Sequence, residues 1–93
     1  MELPVDYTKL SAKKKKLVRE EYVRIQNGIC PVCKRPLDNL PSQEIMEQEI
    51  DWSLFPPFFL KHPVHLHHCH KTGQTISAIH ARCNAYQWVI HGE

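Results

Sequence analysis

The chain has 93 residues and a formal net charge of +2 at pH 7, and 24% of its residues are charged. Seven prolines against three glycines exclude a collagen-like chain, and the composition as a whole excludes a wholly disordered one. One small domain is expected. Since its apolar core alone would stabilise it poorly, we also expect a cross-link such as a bound metal.

The four cysteines are compatible with disulfides or with a metal site. The first residues lack the apolar stretch of a signal peptide, so we expect a reducing, cytoplasmic location, where thiols bind metal more often than they pair. No apolar stretch approaches the roughly 20 residues that cross a bilayer. No membrane association is therefore expected.

Basic residues are concentrated in the first part of the chain. Nine lie between Lys9 and Arg35, where the acidic residues are Glu20 and Glu21, whereas segment 38–51 carries acidic residues alone. This asymmetry is typical either of a surface that contacts a polyanion such as DNA or of a solvated helix face.

The first predicted element is a helix over residues 11–27, after a lead-in that is extended or poorly ordered. Ser11 suits the N-cap and Gly28 the C-terminal stop. Apolar residues recur between them at helical spacing and predict a narrow stripe that faces a small core: Leu17, Val18, Tyr22 and Ile25.

Residues 28–36 are a predicted metal-binding knuckle. Cys30 and Cys33 are two residues apart, with Pro31 stiffening the turn, and this spacing directs two thiolates at one tetrahedral ion. Pro36 disfavours the helix that a redox-active Cys-x-x-Cys pair normally opens. A pair of buried structural thiols would leave the composition of the knuckle unexplained, so we predict zinc.

Segment 38–63 is a predicted variable insert whose first half is acidic. Ser42 suits the N-cap of a short helix over residues 43–51. Three apolar residues of this helix are expected to face inward: Ile45, Met46 and Ile50.

The aromatic segment Trp52–Leu60 follows. Pro56 and Pro57 exclude a regular helix or a central strand across it. We interpret its rings as a cover for the core of a small protein. The alternative is an exposed patch that docks a protein partner.

The last part of the chain, residues 64–91, predicts strand, turn, strand and helix. Val64–His68 and Gln74–Ile79 contain β-forming residues and are separated by a turn at Lys71–Gly73. Residues 81–90 have helical character, with Gly92 as a stop.

A structural zinc site is predicted between this part and the knuckle. His80 and Cys83 are three residues apart at the start of the last helix and so share one face of its first turn. With Cys30 and Cys33 they supply four ligands, and such binding contributes on the order of 10 kcal/mol to folding. A competing set has Cys69 in place of His80.

Four histidines lie close together between the Cys30/Cys33 pair and the His80/Cys83 pair: His65, His67, His68 and His70. Such a group would become charged together near about pH 6 and repel unless a metal or a phosphate used it. Hydrolysis of a phosphodiester needs a general base and a cation, and imidazoles with the amide oxygen of Asn84 can supply a base and ligands.

These residues carry a resemblance to a known family. The stretch H-L-H-H-C-H-K-T-G, followed by I-H-A-R-C-N and preceded by Q-N-G-I-C-P-V-C, resembles the HNH (His-Me finger, ββα-metal) endonucleases, most of all the phage recombination endonuclease VII group. It covers about residues 21–33 and 64–88. The resemblance implies a small α+β fold, with a zinc-pinned ββα-metal core and an N-terminal helix in a single domain, in a bacterial or phage-infected cell.

The resemblance also implies roles for individual residues. His68 falls on the general base that activates water, while His67 and Asn84 fall on the two ligands of a catalytic divalent cation, Mg²⁺, Mn²⁺ or Ni²⁺. His70 matches a histidine that holds the site or the phosphate. The expected activity is metal-dependent nicking or cutting of duplex DNA. Basic residues would grip the DNA backbone: Lys14, Lys15, Lys71 and Arg82.

Two departures from the family pattern bear on this expectation. The family usually has Asp at the position of His67, and the loss of this negative charge favours Mn²⁺, Ni²⁺ or Zn²⁺ over Mg²⁺; colicin nucleases of the same superfamily use a His-His pair. The chain also lacks the dimerising helices of the junction-resolving members, so junction resolution is not expected. A zinc-stabilised binding module without turnover is the alternative function.

Adjacent histidines pose a geometric problem for such a site. Successive residues of a regular strand point to opposite faces, so His67 and His68 cannot both enter one pocket from an ideal strand. We therefore predict an irregular strand at His68, such as a β-bulge.

Overall fold

A computed structural model describes the backbone of residues 1–91 and the side chains of residues 1–90. Gly92, the predicted helix stop, lies outside the described residues. The helices are α1 (Ala12–Ile25), α2 (Gln43–Met46) and α3 (Ala81–His91), and the strands are β1 (Val64–His68) and β2 (Thr75–His80), with short 3-10 helices at Tyr7–Lys9 and Trp52–Leu54. None of the described helices has both the length and the apolar character to cross a bilayer.

The two strands form one antiparallel sheet, so a small α+β fold is confirmed. Val64 pairs with His80 and His67 with Ser77, but His68 pairs with Thr75, so the register shifts between His67 and His68. The predicted irregularity is therefore present at His68. Strand β2 ends at His80, which places this residue on the sheet and not, as predicted, on the helix.

Helix α1 is capped as its sequence predicts, and it is shorter than predicted at both ends. The hydroxyl of Ser11 accepts a hydrogen bond from the Lys14 amide at 3.2 Å. After the helix, the Gly28 amide donates to the Val23 carbonyl at 2.8 Å, and Gly28 has a φ of +71°, which glycine adopts without steric cost.

The predicted apolar stripe of α1 is only half correct. Val18 and Tyr22 are buried in the core, whereas Leu17 and Ile25 are exposed. The core combines residues of the three α-helices, both strands and the knuckle with the residue after it: Val18, Tyr22, Cys30, Leu37, Ile45, Leu66, Ala78, Ile79 and Cys83.

One side chain joins the end of α1 to the sheet. The Gln26 amide nitrogen donates to the Ala78 carbonyl at 2.9 Å, and its amide oxygen accepts from the Ala78 amide at 2.9 Å. The Gln26 side chain thus pairs with the main chain of β2 as a neighbouring strand would. This contact holds the knuckle, which begins two residues later in the chain, against the strand that carries His80.

The N-terminal lead-in, which was expected to be extended or poorly ordered, pairs with the hairpin through an antiparallel bridge between Asp6 and Gln74 and contains the 3-10 helix Tyr7–Lys9. The Tyr7 amide donates to the Gly73 carbonyl at 2.8 Å, and the Thr75 amide donates to the Val5 carbonyl at 2.9 Å. The buried hydroxyls of Tyr22 and Thr75 are hydrogen bonded to each other at 2.9 Å. These contacts place the Tyr7 ring beside the end of β1.

The insert departs most from its predicted structure. Helix α2 ends at Met46, although residues 43–51 were predicted to be helical, and Ile45 is its buried residue. The interpretation of the aromatic segment as a cover for the core is wrong for Leu54 and Phe58, which are 62% and 68% exposed. The segment instead forms one side of a cavity described below.

Candidate functional site

Four side chains converge on one point between the knuckle and the last helix, and we call them the Cys/His cluster: Cys30, Cys33, His80 and Cys83. Their ligand atoms all lie within 4.8 Å of one another. Cys30 and Cys83 are fully buried, and His80 is 2% exposed. The cluster has the ligand types and the closure of a structural zinc site.

The knuckle backbone aims the first two thiols. The Lys34 amide donates to the Cys30 carbonyl at 2.9 Å, and the Cys30 amide donates to the Arg35 carbonyl at 2.9 Å. Lys34 has a φ of +65°, which reverses the chain directly after Cys33. The turn thereby brings both thiols of the Cys-x-x-Cys pair to one side.

The imidazole of His80 is oriented by two main-chain carbonyls. Its Nε2 lies 3.0 Å from the carbonyl oxygens of Pro36 and Asn39. A carbonyl oxygen can only accept, so Nε2 carries the proton and Nδ1 keeps its lone pair. Nδ1 faces the sulfurs of Cys33 at 3.3 Å and Cys83 at 3.7 Å, as a metal ligand supported by outer hydrogen bonds would.

The electrostatics of the cluster favour thiolate at one cysteine even without a metal. A hydrogen bond from the Cys83 thiol lowers the pKa of Cys30, and the same contact together with burial raises the pKa of Cys83. Thiolate is the form that binds metal. The cluster could therefore hold a structural zinc ion, and Cys69 is not one of its members.

A second region lies beside the irregular end of β1. It is a cavity of about 490 Å³ bounded by α1, the insert, β1 and α3. Its lining includes every residue of the histidine stretch that the sequence singled out, together with the asparagine of α3, and we call this set the histidine cavity: His65, His67, His68, His70 and Asn84.

His65 connects the insert to Asn84. Its Nε2 lies 2.9 Å from the Phe59 carbonyl oxygen, so Nε2 carries the proton, and Nδ1 of the neutral ring is an acceptor. Burial lowers the pKa of His65 and favours this neutral form. Nδ1 lies 3.1 Å from the Asn84 amide nitrogen, which therefore donates, and the Asn84 amide oxygen is not engaged with His65.

His68 lies within a column of rings. Its imidazole is stacked on Tyr7, with centroids 3.8 Å apart and an interplanar angle of 6°. His70 follows at 4.8 Å, and Trp88 lies edge-on to His70 at 5.3 Å. Stacking covers a face of the His68 ring and leaves its edge, where the nitrogens lie, for other contacts. Burial, and secondarily the charge of His70, lowers the pKa of His68.

Positive charge reaches the cavity from α1. Lys15 and Arg19 line it, and the Lys15 ammonium lies 4.3 Å from the centroid of the Tyr7 ring. Among the predicted DNA-backbone residues only Lys15 lines the cavity. Lys14 and Lys71 are exposed elsewhere, and the Arg82 guanidinium lies over the Trp52 ring at 5.3 Å.

The two proposed cation ligands, His67 and Asn84, line the same cavity. They do not form a closed ligand group comparable to the Cys/His cluster. Within the described part of the chain, that cluster is the only group of three or more His, Cys, Asp or Glu side chains close enough to share an ion. The geometry therefore supports one metal site directly, and a catalytic cation belongs to the proposal below.

Sequence reasoning gave no role to three residues that shape the cavity: Tyr7, Arg19 and His65. His65 was visible as part of the histidine stretch, and its position two residues before His67 puts both on one face of β1. Arg19 was visible as the residue four after Lys15, on the same helix face. No local pattern indicates that Tyr7 stacks on His68.

Comparison with known proteins found no matching family model, no matching curated protein and no matching solved structure. The two regions are therefore interpreted from their residues and geometry.

Proposed function

We propose that this chain is a metal-dependent DNA endonuclease of the HNH type. The observation that carries the proposal is that His67, His68 and His70 line one open cavity together with Asn84 of α3 and the cations of α1, which are distant from them in the sequence. A general base, oxygen and nitrogen ligands and positive charge at one cavity are the components that phosphodiester hydrolysis requires.

His68 is the proposed general base. Because burial and His70 lower the pKa of its imidazole, the ring is neutral near pH 7 and can accept a proton from water. The hydroxide so formed attacks the phosphorus, the bond to the leaving oxygen breaks, and that oxygen takes a proton from solvent. Tyr7 is stacked on the His68 ring and so fixes the plane in which the His68 nitrogens lie.

His67 and Asn84 are the proposed ligands of Mg²⁺, Mn²⁺ or Ni²⁺, which when bound would stabilise charge on the phosphoryl and leaving oxygens. The contact to His65 suits Asn84 to this role, because it engages the amide nitrogen and not the amide oxygen that would bind the cation. Two protein ligands suit a cation whose remaining positions are taken by phosphate oxygens and water. This number of ligands fits a cation that arrives with its substrate.

The N-terminus of α1 supports DNA as the substrate. Its first turn contains no acidic residue but carries lysines, and positive side chains are unfavourable at the positive end of a helix dipole. A phosphate placed there would compensate both the dipole and the side-chain charge. Lys15 and Arg19 extend this positive surface into the histidine cavity.

The proposal is tested with purified zinc-loaded protein and supercoiled plasmid in a series of Mg²⁺, Mn²⁺ and Ni²⁺. We expect nicking that depends on the added ion. His68→Ala should lower the rate about 10²- to 10⁴-fold, the usual contribution of a general base, without changing zinc content or the circular dichroism spectrum. His62→Ala, a histidine of the same cavity without a proposed role, is the matched control.

A zinc-stabilised binding module is the second candidate function, and the exposed rings of the insert favour it. The same experiment separates the two. Equal DNA binding by wild type and His68→Ala, with no nicking in any of the three ions, would contradict the endonuclease and support the module.

A further inference from the structure

The insert presents apolar side chains to the histidine cavity, and we call these the aromatic wall: Leu54, Phe55, Phe58 and Phe59. Phe55 and Phe59 are half-buried and pack on each other with ring centroids 4.7 Å apart. Phe58 lies outside this ring cluster and is 68% exposed. An exposed ring at the rim of a cavity indicates a ligand with an apolar face.

The wall is fixed to His65, the residue that orients the proposed cation ligand Asn84. The Phe59 ring lies edge-on to His65 at 4.6 Å, and the Phe59 carbonyl accepts the hydrogen bond from His65 Nε2 at 2.9 Å. The wall is therefore held at a set distance from Asn84, which His65 orients. A group that packs on the wall would lie next to a phosphate bound at the histidines.

The cations that line the cavity favour an anionic ligand. They are Lys15 and Arg19, and no Asp or Glu is among the lining residues of the cavity. A purely apolar partner would leave these cations desolvated and unpaired, which is unfavourable. A nucleotide combines an apolar π-face with a phosphate, and a cavity of about 490 Å³ is in the size range of small-ligand sites.

The pairing state of the nucleotide follows from the exposure of Phe58. In a continuous duplex the faces of the bases are covered by their neighbours, so a protein ring beside the backbone meets sugar and phosphate only. In a single strand the base faces are open and stack on aromatic side chains next to a positively charged groove. Charge and ring together therefore match an unpaired base.

We propose that the aromatic wall is a subsite for an unpaired base adjacent to the bound phosphate, with Phe58 as its stacking ring. Resting on the proposed nuclease function, this makes single-stranded or locally unpaired DNA the preferred substrate, ahead of continuous duplex. Supercoiled plasmid, which unpairs locally, is then nicked faster than the same plasmid after relaxation.

The test measures binding and cleavage separately. One labelled oligonucleotide sequence is prepared as a single strand, as a duplex, and as a duplex with a central unpaired stretch, and affinity is measured by fluorescence anisotropy without added Mg²⁺ or Mn²⁺. Phe58→Ala should weaken binding of the single strand about tenfold, which corresponds to about 1.4 kcal/mol, within the range for base–aromatic stacking. Binding of the continuous duplex should not change.

Three variants make the result specific to stacking. Phe58→Trp should retain single-strand affinity, and Phe58→Leu should lose it, because leucine is apolar but has no π-face. Leu60→Ala, an exposed apolar residue of the same segment that does not line the cavity, is the matched control and should have no effect.

Equal affinity for single strand and duplex, or full retention of single-strand affinity by Phe58→Leu, would overturn the base subsite. The outcome for cleavage is independent. Selective, Phe58-dependent binding of the single strand without cleavage of any substrate would support the subsite and reject the nuclease. Cleavage with no preference for unpaired DNA would support the nuclease and reject the base subsite.

Discussion

The Cys/His cluster and the histidine cavity are built partly from the same helix and strands, but the cluster is buried whereas the cavity is open to solvent. Cys83 and Asn84 are consecutive residues of α3, and since successive residues of a helix are about 100° apart, one enters the buried cluster while the other lines the cavity. In the same way His80 of β2 belongs to the cluster, and His67 of β1 belongs to the cavity. The hairpin and the first turn of α3 therefore contribute side chains to both sites.

The two sites differ in how many metal ligands the chain itself supplies. The cluster supplies four ligands of its own and is closed by the knuckle, so a metal there has no position left for a substrate. The histidine cavity is lined by the proposed cation ligands His67 and Asn84, by the cations Lys15 and Arg19, and by the exposed ring of Phe58. Because Cys83 and Asn84 are adjacent residues of α3, a zinc ion held by Cys83 would also fix the position of Asn84 at the edge of the histidine cavity.

The largest expected effect follows from opening the closed site. Cys83→Ala removes a fully buried ligand, and since zinc binding of this kind contributes on the order of 10 kcal/mol, comparable to the whole stability of a small domain, the chain should unfold. Circular dichroism and zinc content measure this. Cys69→Ser, outside the cluster, should retain both the fold and the zinc.

Retention of zinc and fold by Cys83→Ala would contradict the ligand assignment, as would loss of zinc from Cys69→Ser alone. Either result would also break the comparison, because the position of Asn84 would no longer depend on a closed metal site.

A smaller effect is expected from substitution of His65, which orients Asn84 in the histidine cavity. His65→Ala leaves the Cys/His cluster intact but removes the acceptor that holds the Asn84 amide nitrogen. Loss of such an outer hydrogen bond typically lowers metal affinity or activity about 10- to 100-fold. We expect the concentration of Mn²⁺ needed for half-maximal nicking to rise by this factor.

His62→Ala is the control for this prediction, because His62 lines the same cavity and contacts neither Phe59 nor Asn84 by a hydrogen bond within the described chain. An unchanged Mn²⁺ dependence of His65→Ala would remove the argument that His65 orients Asn84. Equal shifts in both variants would indicate a general loss of charge or volume in the cavity.

The two regions also differ in how far sequence could predict them. The Cys/His cluster was predicted residue by residue, because Cys30 with Cys33 and His80 with Cys83 are close pairs whose spacing already restricts their geometry. Even there, the place of His80 on the strand was missed, because helix start and strand end are adjacent residues.

Contacts in the cavity depend on chain paths that no local pattern determines. The His65 tautomer is set by the Phe59 carbonyl, a main-chain atom of an irregular segment broken by Pro56 and Pro57. The stacking of Tyr7 on His68 depends on main-chain pairing of the N-terminal segment with the hairpin. Residue types could be predicted for this region, whereas their partners could not.

Tyr7 offers a test at the border of the open site. Tyr7→Leu keeps an apolar side chain but removes the stacked ring, which should lower the free energy of unfolding by about 0.5–1.5 kcal/mol. Since His68 then loses part of its burial, its pKa should rise toward the ordinary value, and the acid limb of the nicking rate should move to higher pH.

Urea unfolding and a pH–rate profile measure these two effects, with Lys9→Ala, an exposed neighbour in the same segment, as control. A stability loss without a shift of the acid limb would indicate that Tyr7 supports the fold but does not control the protonation of His68.

The smallest expected effect is the contribution of His65 to the pH dependence of the free energy of unfolding. Burial lowers the pKa of His65 from its ordinary value of 6.5, so below about pH 6.5 the unfolded chain binds a proton that the folded chain does not. Above that pH both states are neutral at this residue, and it contributes no pH dependence. Stability should therefore fall as pH decreases from 6.5 to the folded pKa, by less than about 1.4 kcal/mol per pH unit, the limit for a single group.

The Cys/His cluster adds its own acid sensitivity, because protons compete with zinc for thiolates. The measurement is therefore the difference between wild type and His65→Gln in urea unfolding at several pH values with zinc present. The cluster contributes equally to both proteins and cancels, whereas the His65 contribution remains in wild type alone. Parallel curves over this pH range would show that folding does not change the pKa of His65. In that case the imidazole is not held buried and neutral, and the argument that it orients Asn84 would fail.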